Sequence, residues 1–427
     1  MFKNAVALIL MFLYFYTITF SFLPFSSTVI FGIFGFLWFG LLLLQNKISF
    51  TINKYMMRFS ILLISVGIVA MVTLVINSTR DIKFISYVFS ALAIIFASYF
   101  VIKILKKMKY ELSFESIGHL IINVIFIQSI IALSMFLIPE LKEFLLGLEK
   151  ITADQYKRVI GLSEFRIYGL GASKTFIAGI YNGFGLILMA VFFRMYKFSS
   201  KQLFVFSFKF LLIFLVGMMM ARTTLVGVLL AISIVLMPKD FKATISMAKK
   251  RFLFIFLAFI VPVVIILLLM NFSTSFSMTF GRAIEYGFEM FVNYFAYGSF
   301  ETDSTNELKT LYVFPTEIKT YIIGDGYFAH PTDIGQYYMN TDVGYLRLIY
   351  YFGMVGLLTY LAMQMYLIVR AYRSFKIGAE IYLFIVAYLL ILNLKGFTDL
   401  LFIHILFLMA YLLNKKTISI EKIRSTS

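Results

Sequence analysis

Cysteine is absent from the 427 residues, and histidine occurs only three times. Without thiols the chain can form neither a disulfide nor a thiolate metal site. Charge is scarce as well. Asp, Glu, Lys and Arg make up 14% of the chain, too little for the surface of a soluble domain. There is no Asp-x-Asp, phosphate-loop or histidine-rich pattern of the kind that marks a nucleotide-sugar, ATP or metal site. Nor is there a visible inverted repeat of the sort found in many secondary transporters. What is present is apolar, with 61% hydrophobic and 19% aromatic residues.

These residues are gathered into runs of about the length, near 20 helical residues, that crosses a hydrocarbon layer of roughly 30 Å. Twelve such spans are predicted, near 5–23, 28–44, 59–76, 84–102, 116–138, 176–193, 203–220, 223–237, 252–272, 346–369, 381–393 and 400–413. The last two are short enough for a tilted hairpin or a re-entrant pair. The first follows a single lysine and lacks a small-residue cleavage site, so it reads as a retained helix. The expected fold is an all-α polytopic membrane protein, residues 1–427 forming one membrane domain.

Positive charge marks the cytoplasmic side of membrane proteins. With both termini inside, 23 of the 38 basic residues fall on inner loops and ends, and 13 fall on outer segments together with 16 acids. The net charge of +17 therefore reads as topology and as attraction to anionic membrane lipid, with no nucleic acid implied.

Loop lengths direct attention to one face. Two outer connections are long, 139–175 and 273–345, and stretches such as "YGFEMFVNYFAYGSF" carry too many aromatics for disorder. Short amphipathic helices on the outer leaflet are expected there. Three arginines stand out. Arg166 precedes three glycines that let backbone approach a ligand, and a guanidinium offers a planar fork to phosphate oxygens. The alternative for Arg166 is a snorkelling interfacial side chain. Arg222, in "MMMARTTLVGVLL", has little solvated chain around it and needs a partner, unless it simply marks a tight turn. Arg282, in "FGRAIEYGFEMF", is either a third cationic donor or half of an i,i+3 pair with Glu285. His119 and His404 lie in apolar spans and read as packing residues, while Lys395 and Asp399 read as a pair at a short turn. Across "IIGDGYFAHPTDIGQYYMNTDVGYL", Asp325, His330, Asp333 and Asp342 are candidate proton acceptors, against solvated or capping roles. Tyr327 and Tyr345 can stack on sugar faces, although aromatics are common at membrane interfaces.

Four pieces of the chain resemble the bacterial O-antigen polymerase and O-antigen ligase superfamily. They are "FRIYGLGASKTFIAGI", "GMMMARTTLVGVLLAI", the long second loop, and "IIGDGY" leading to "DVGYLRLIYYFGMVGLL". Ligase relatives carry a His-Asn pair where this chain reads Asp342-Val343, and His330 lies twelve residues earlier, so the departure favours the polymerase branch. The resemblance implies a metal-independent glycosyltransferase without cofactor. It would move a growing glycan from undecaprenyl diphosphate to a lipid-linked repeat unit at the periplasmic or exterior side of a bacterial cytoplasmic membrane. Arg166, Arg282, Asp342 and His330 would be catalytic. Arg222, Asp325, Tyr327 and Tyr345 would bind substrate, Asp342 being the preferred base because it precedes the helix at the motif position. A chain-length regulator protein is an implied partner. An O-antigen ligase and a non-enzymatic flippase of lipid-linked oligosaccharides are the alternatives.

Overall fold

The computed structural model describes residues 2–45, 53–151, 166–237, 274–333 and 336–424. Fifteen α-helices occupy them. They are α1 (Phe2–Tyr16), α2 (Ser27–Leu44), α3 (Lys54–Asn77), α4 (Lys83–Lys107), α5 (Phe114–Leu137), α6 (Pro139–Gly147), α7 (Thr175–Met195) and α8 (Ser200–Met220). After these come α9 (Thr224–Leu236), α10 (Thr274–Tyr297), α11 (Asp303–Thr310), α12 (Ile318–Ile322), α13 (Gly344–Ser374), α14 (Ala379–Asn393) and α15 (Leu401–Arg424). Among the described residues β-structure is limited to two isolated bridges.

Seven helices are long and apolar enough to cross a membrane: α2, α3, α4, α5, α7, α8 and α13. Four shorter apolar helices accompany them, α1, α9, α14 and the Leu401–Lys415 part of α15. The chain is thus an all-helical, membrane-embedded protein. The predicted span 252–272 lies outside the described residues. Helix α1 is shorter than its predicted 5–23, because the backbone after Tyr16 is used otherwise. Thr17 takes a positive φ of 47°. Beyond it Phe20 bridges Glu149, Lys150 N–H donates to Thr19 O at 2.8 Å and Ser21 N–H to Leu148 O at 2.8 Å. Those bonds satisfy polar backbone that the helix would otherwise have carried.

The chain divides into two compact units. One comprises Met1–Phe15, Ser27–Ile117 and Asp303–Ser427; the other comprises Tyr16–Ser26 and Gly118–Thr302. In the first, α2 packs on α4, α3 packs on α4 and α13, and α13 also meets α12, α14 and α15. Its central device is a break in α13. Phe352 (φ −140°) and Gly353 (φ 67°) leave the helical region, which frees carbonyls one turn earlier. The stretch Gly324–Gly326 fills the gap, Asp325 N–H donating to Tyr350 O at 2.7 Å and Gly326 N–H to Tyr351 O at 3.0 Å. Such satisfaction is obligatory for backbone away from water. Only glycine fits at this crossing, because a Cβ on Gly324 would stand 2.6 Å from Tyr351 O and one on Gly353 2.2 Å from Ile322 O.

In the second unit α7 packs on α8 and α9, and α8 packs on α10. A shared core of Ala132, Ile167, Ala178, Val216, Met219, Met220, Ala283 and Ile284 ties α5, α7, α8 and α10 to the segment before α7. The expectation of little room in "ARTT" is met by a three-residue turn, Thr224 N–H bonding Ala221 O at 3.0 Å. Helix α6 lies in the first predicted long loop, and α10 to α12 lie in the second.

Candidate functional site

Arg166 opens the segment "RIYGLGAS", whose backbone is pinned throughout. Ile167 N–H donates to Met219 O at 3.2 Å, Gly169 N–H to Ser173 O at 2.9 Å and Ala172 N–H to Tyr16 O at 2.7 Å. Gly171 is left-handed (φ 60°), and a Cβ there would meet Tyr16 O at 2.2 Å. Its N–H donates to the buried Glu149 carboxylate at 2.5 Å, and Lys174 pairs with the other carboxylate oxygen. With the backbone held, Arg166 has a defined place. Its guanidinium carbon lies 4.4 Å from the Tyr286 ring centre, and the guanidinium donates to the Tyr286 hydroxyl.

Arg222 reaches the same ring from the α8–α9 turn, its guanidinium carbon 4.5 Å from the centre. Its Nε donates to Tyr286 O at 2.7 Å, and it forms an ion pair with Glu289. Two cations on one aromatic ring are stabilised by its quadrupole, and the ring keeps them side by side. Burial raises the Tyr286 phenol, against the pull of Arg166 and then Arg222. Arg282 stands exposed one helical turn before Tyr286, and Glu285 is exposed too. Tyr286 itself was not flagged by sequence reasoning, although it lies four residues after Arg282, on the same helix face.

Beside the pair is a cavity of about 210 Å³ lined by Met135, Phe136, Pro139, Lys142, Arg166 and Tyr168. The Arg166 Nε and the Tyr168 hydroxyl are buried and have no hydrogen-bond partner among the described residues. Burial pushes the Tyr168 phenol up to about 12 and lowers the Lys142 ammonium. Cations and an unpaired hydroxyl against an apolar wall suit an anionic amphiphile.

The other unit holds the remaining candidates. Asp325 has both carboxylate oxygens engaged, by the Thr320 hydroxyl at 2.7 Å and the Tyr338 hydroxyl at 3.3 Å. Burial, followed by Asp325, pushes the Tyr338 phenol up to about 12. Asp325 is therefore a brace for the loop that closes the α13 break. Tyr345 donates to Leu390 O at 2.7 Å, and Tyr327 lies against Tyr338 with centroids 5.3 Å apart. Asp333 is exposed, and its N–H donates to His330 Nδ1 at 3.1 Å. A lone pair thus occupied leaves the neutral ring's proton on Nε2, so His330 is arranged to donate there.

Asp342 differs from these acids. Its side chain is 43% exposed, and Oδ1 lies 3.5 Å from Arg347 Nη1. Burial raises its carboxyl, opposed by Arg347 and Lys395, and Glu307 adds to the rise. A partly open carboxylate with a raised pKa is suited to proton transfer.

Arg347 is a residue that sequence reasoning missed. Only 8% exposed, it lies between two rings, 3.8 Å from the Phe328 centre and 3.7 Å from that of Tyr337. A signal was available, since an arginine three residues into an apolar helix needs a partner. The Lys395–Asp399 reading also changes. Asp399 instead accepts from Gln364 Nε2 at 2.7 Å and Leu401 N–H at 2.8 Å, while Lys395 acts on Asp342. His119 packs 4.7 Å from the Phe192 ring, and the His404 ring bonds Tyr372, as expected of packing residues. Set beside models of protein families, curated proteins and solved structures, the chain matches none of them.

Proposed function

We propose that the chain is a polysaccharide polymerase of the O-antigen polymerase kind. It would sit in a bacterial cytoplasmic membrane with twelve spans, both termini inside, and transfer a glycan from undecaprenyl diphosphate to a lipid-linked repeat unit on the outer face. The observation that carries this reading is the pair Arg166 and Arg222 on one tyrosine ring, beside an apolar-walled cavity with unpaired polar atoms.

In the reaction an acceptor hydroxyl oxygen attacks the anomeric carbon of the growing chain. The bond from that carbon to the diphosphate oxygen breaks, and its electron pair leaves with the lipid diphosphate. Fixed guanidinium groups stabilise the charge that develops there, because they are held in place before the reaction and need little reorganisation. The hydroxyl proton passes to a general base.

The test is chain length formed by purified protein from lipid-linked repeat unit, with chelator present. Arg166→Lys and Arg222→Lys keep charge but lose the bidentate fork. Each is expected to slow polymerisation on the order of 100- to 1000-fold, the loss typical of removing one donor to developing charge. Near-normal chains from both variants would refute the diphosphate role. Single-unit transfer to a non-glycan acceptor would favour a ligase, and lipid translocation without glycosidic bond formation would favour a flippase.

A further inference from the structure

A second cavity, of about 490 Å³, lies in the unit that contains α3 and α13 and is built from none of the elements that carry the arginine pair. Its lining is the α3–α4 turn, Ser78 to Asp81, together with Tyr327, Ala329, His330 and Pro331. The size falls within the range of about 300–1,000 Å³ usual for small-molecule sites. Nothing in the proposed diphosphate chemistry uses it.

Its hydrogen-bonding character is lopsided. Asp81 would be the natural acceptor, but its carboxylate is turned to backbone. Oδ2 accepts Phe328 N–H at 2.7 Å and Ala329 N–H at 3.3 Å, and Oδ1 accepts Lys83 N–H at 3.0 Å. Arg80, its neighbour in sequence, is exposed and has no ionic partner among the described residues. His330 presents Nε2–H, because Nδ1 accepts from Asp333. The Thr79 hydroxyl is buried without a partner among the described residues. The cavity therefore offers two pure donors, a guanidinium fork and an imidazole N–H, beside hydroxyls that can donate or accept, while its one carboxylate already accepts three backbone N–H groups. Tyr327 adds an aromatic surface, which suits the apolar face of a sugar ring. A neutral sugar needs acceptors as well as donors, since each hydroxyl is both. An anionic oxygen needs donors alone.

We infer that this cavity binds a sugar carrying a negative charge, as carboxylate or phosphate, with Arg80 and His330 Nε2 on the anionic group and Tyr327 against the ring. Its assignment to a sugar of the repeat unit rests on the polymerase reading; the binding does not.

Binding is measured by saturation-transfer NMR on the full chain in lipid nanodiscs, with methyl glucuronide, methyl glucoside and glucose 6-phosphate as probes. One of the two anionic probes is expected to bind at least about tenfold more tightly than the neutral glucoside, the scale of one charge-assisted hydrogen bond. Which of them binds identifies the group as carboxylate or phosphate. Arg80→Gln is expected to remove that preference, and His330→Phe to weaken it. Because Arg80 is exposed, its variant should keep the wild-type unfolding temperature. Equal binding of glucoside and both anions, no binding of either anion, or an Arg80→Gln variant with unchanged preference would overturn the inference. No polymerisation by the wild-type protein, with anion-selective binding intact, would refute the polymerase and leave the cavity's ligand standing.

Discussion

Both units lay arginine on aromatic rings, yet the two arrangements differ in what they leave open. Arg347 has a ring at each face, Phe328 and Tyr337, both under 4 Å from its central carbon, and Asp342 at its edge. Arg166 and Arg222 share a single ring, Tyr286, and Arg166 also lines a cavity. A guanidinium enclosed on both faces is a lock, since its attraction is spent on holding the chain. A guanidinium with one face covered and a cavity beside it keeps capacity for a ligand, whereas a buried, unpaired Nε is common to Arg166 and Arg347.

Lysine replacements separate the two most strongly. In the polymerisation assay Arg166→Lys and Arg222→Lys carry the largest expected loss, with unfolding temperature little changed for Arg166→Lys. Arg347→Lys should behave in the opposite sense, lowering thermal stability and raising proteolysis around residues 327–338. Each desolvated contact with an aromatic ring contributes up to about 2 kcal/mol. If Arg347→Lys keeps full stability while losing activity, the distinction between lock and ligand group fails.

The α13 break offers a next, smaller probe. Gly353→Ala forces a Cβ to 2.2 Å from Ile322 O at a positive φ, so a loss of about 1–3 kcal/mol is expected. Thermal unfolding in detergent measures it. A neutral outcome would mean that the Gly324–Gly326 stretch is not seated on the break.

The smallest effect concerns Asp342. Its folded pKa is raised, so its contribution to stability is complete below the ordinary carboxylate range and is lost as pH rises through the raised value. Asp342→Asn removes that loss. The variant should therefore unfold at a slightly higher temperature than wild type near neutral pH, with the difference vanishing below about pH 4. Because the carboxylate is 43% exposed, solvent screening keeps the difference small. A variant less stable at neutral pH would show that the Arg347 contact outweighs burial.

Much of the architecture was legible in the chain itself. Eleven of the twelve predicted spans fall on helices, seven of which are long and apolar enough to cross a membrane, and the twelfth lies outside the described residues. The reason is physical: an apolar run in hydrocarbon can satisfy its own backbone only as a helix, so length and composition are enough. Arg166 and Arg222 stood out for a related reason, because guanidinium groups beside apolar runs are costly without a partner, and both lie on the Tyr286 ring. Helix α1 was overextended, since composition does not reveal that residues 19–21 bond to residues 148–150.

What the tertiary structure alone decided is which polar groups face one another. Arg222 meets Tyr286 across 64 residues, and Asp81 caps the amide of Phe328 across 247. The sequence marked Arg282, whereas packing brought Tyr286, one turn later, between the two arginines' reach. Likewise the carboxylates of Asp81, Asp325 and Asp342 are alike in sequence, and only their partners make the first a backbone cap, the second a brace and the third half-open. Helices follow from local hydrophobicity, but partners follow from how helices pack, and packing joins residues whose separation along the chain carries no periodic signal.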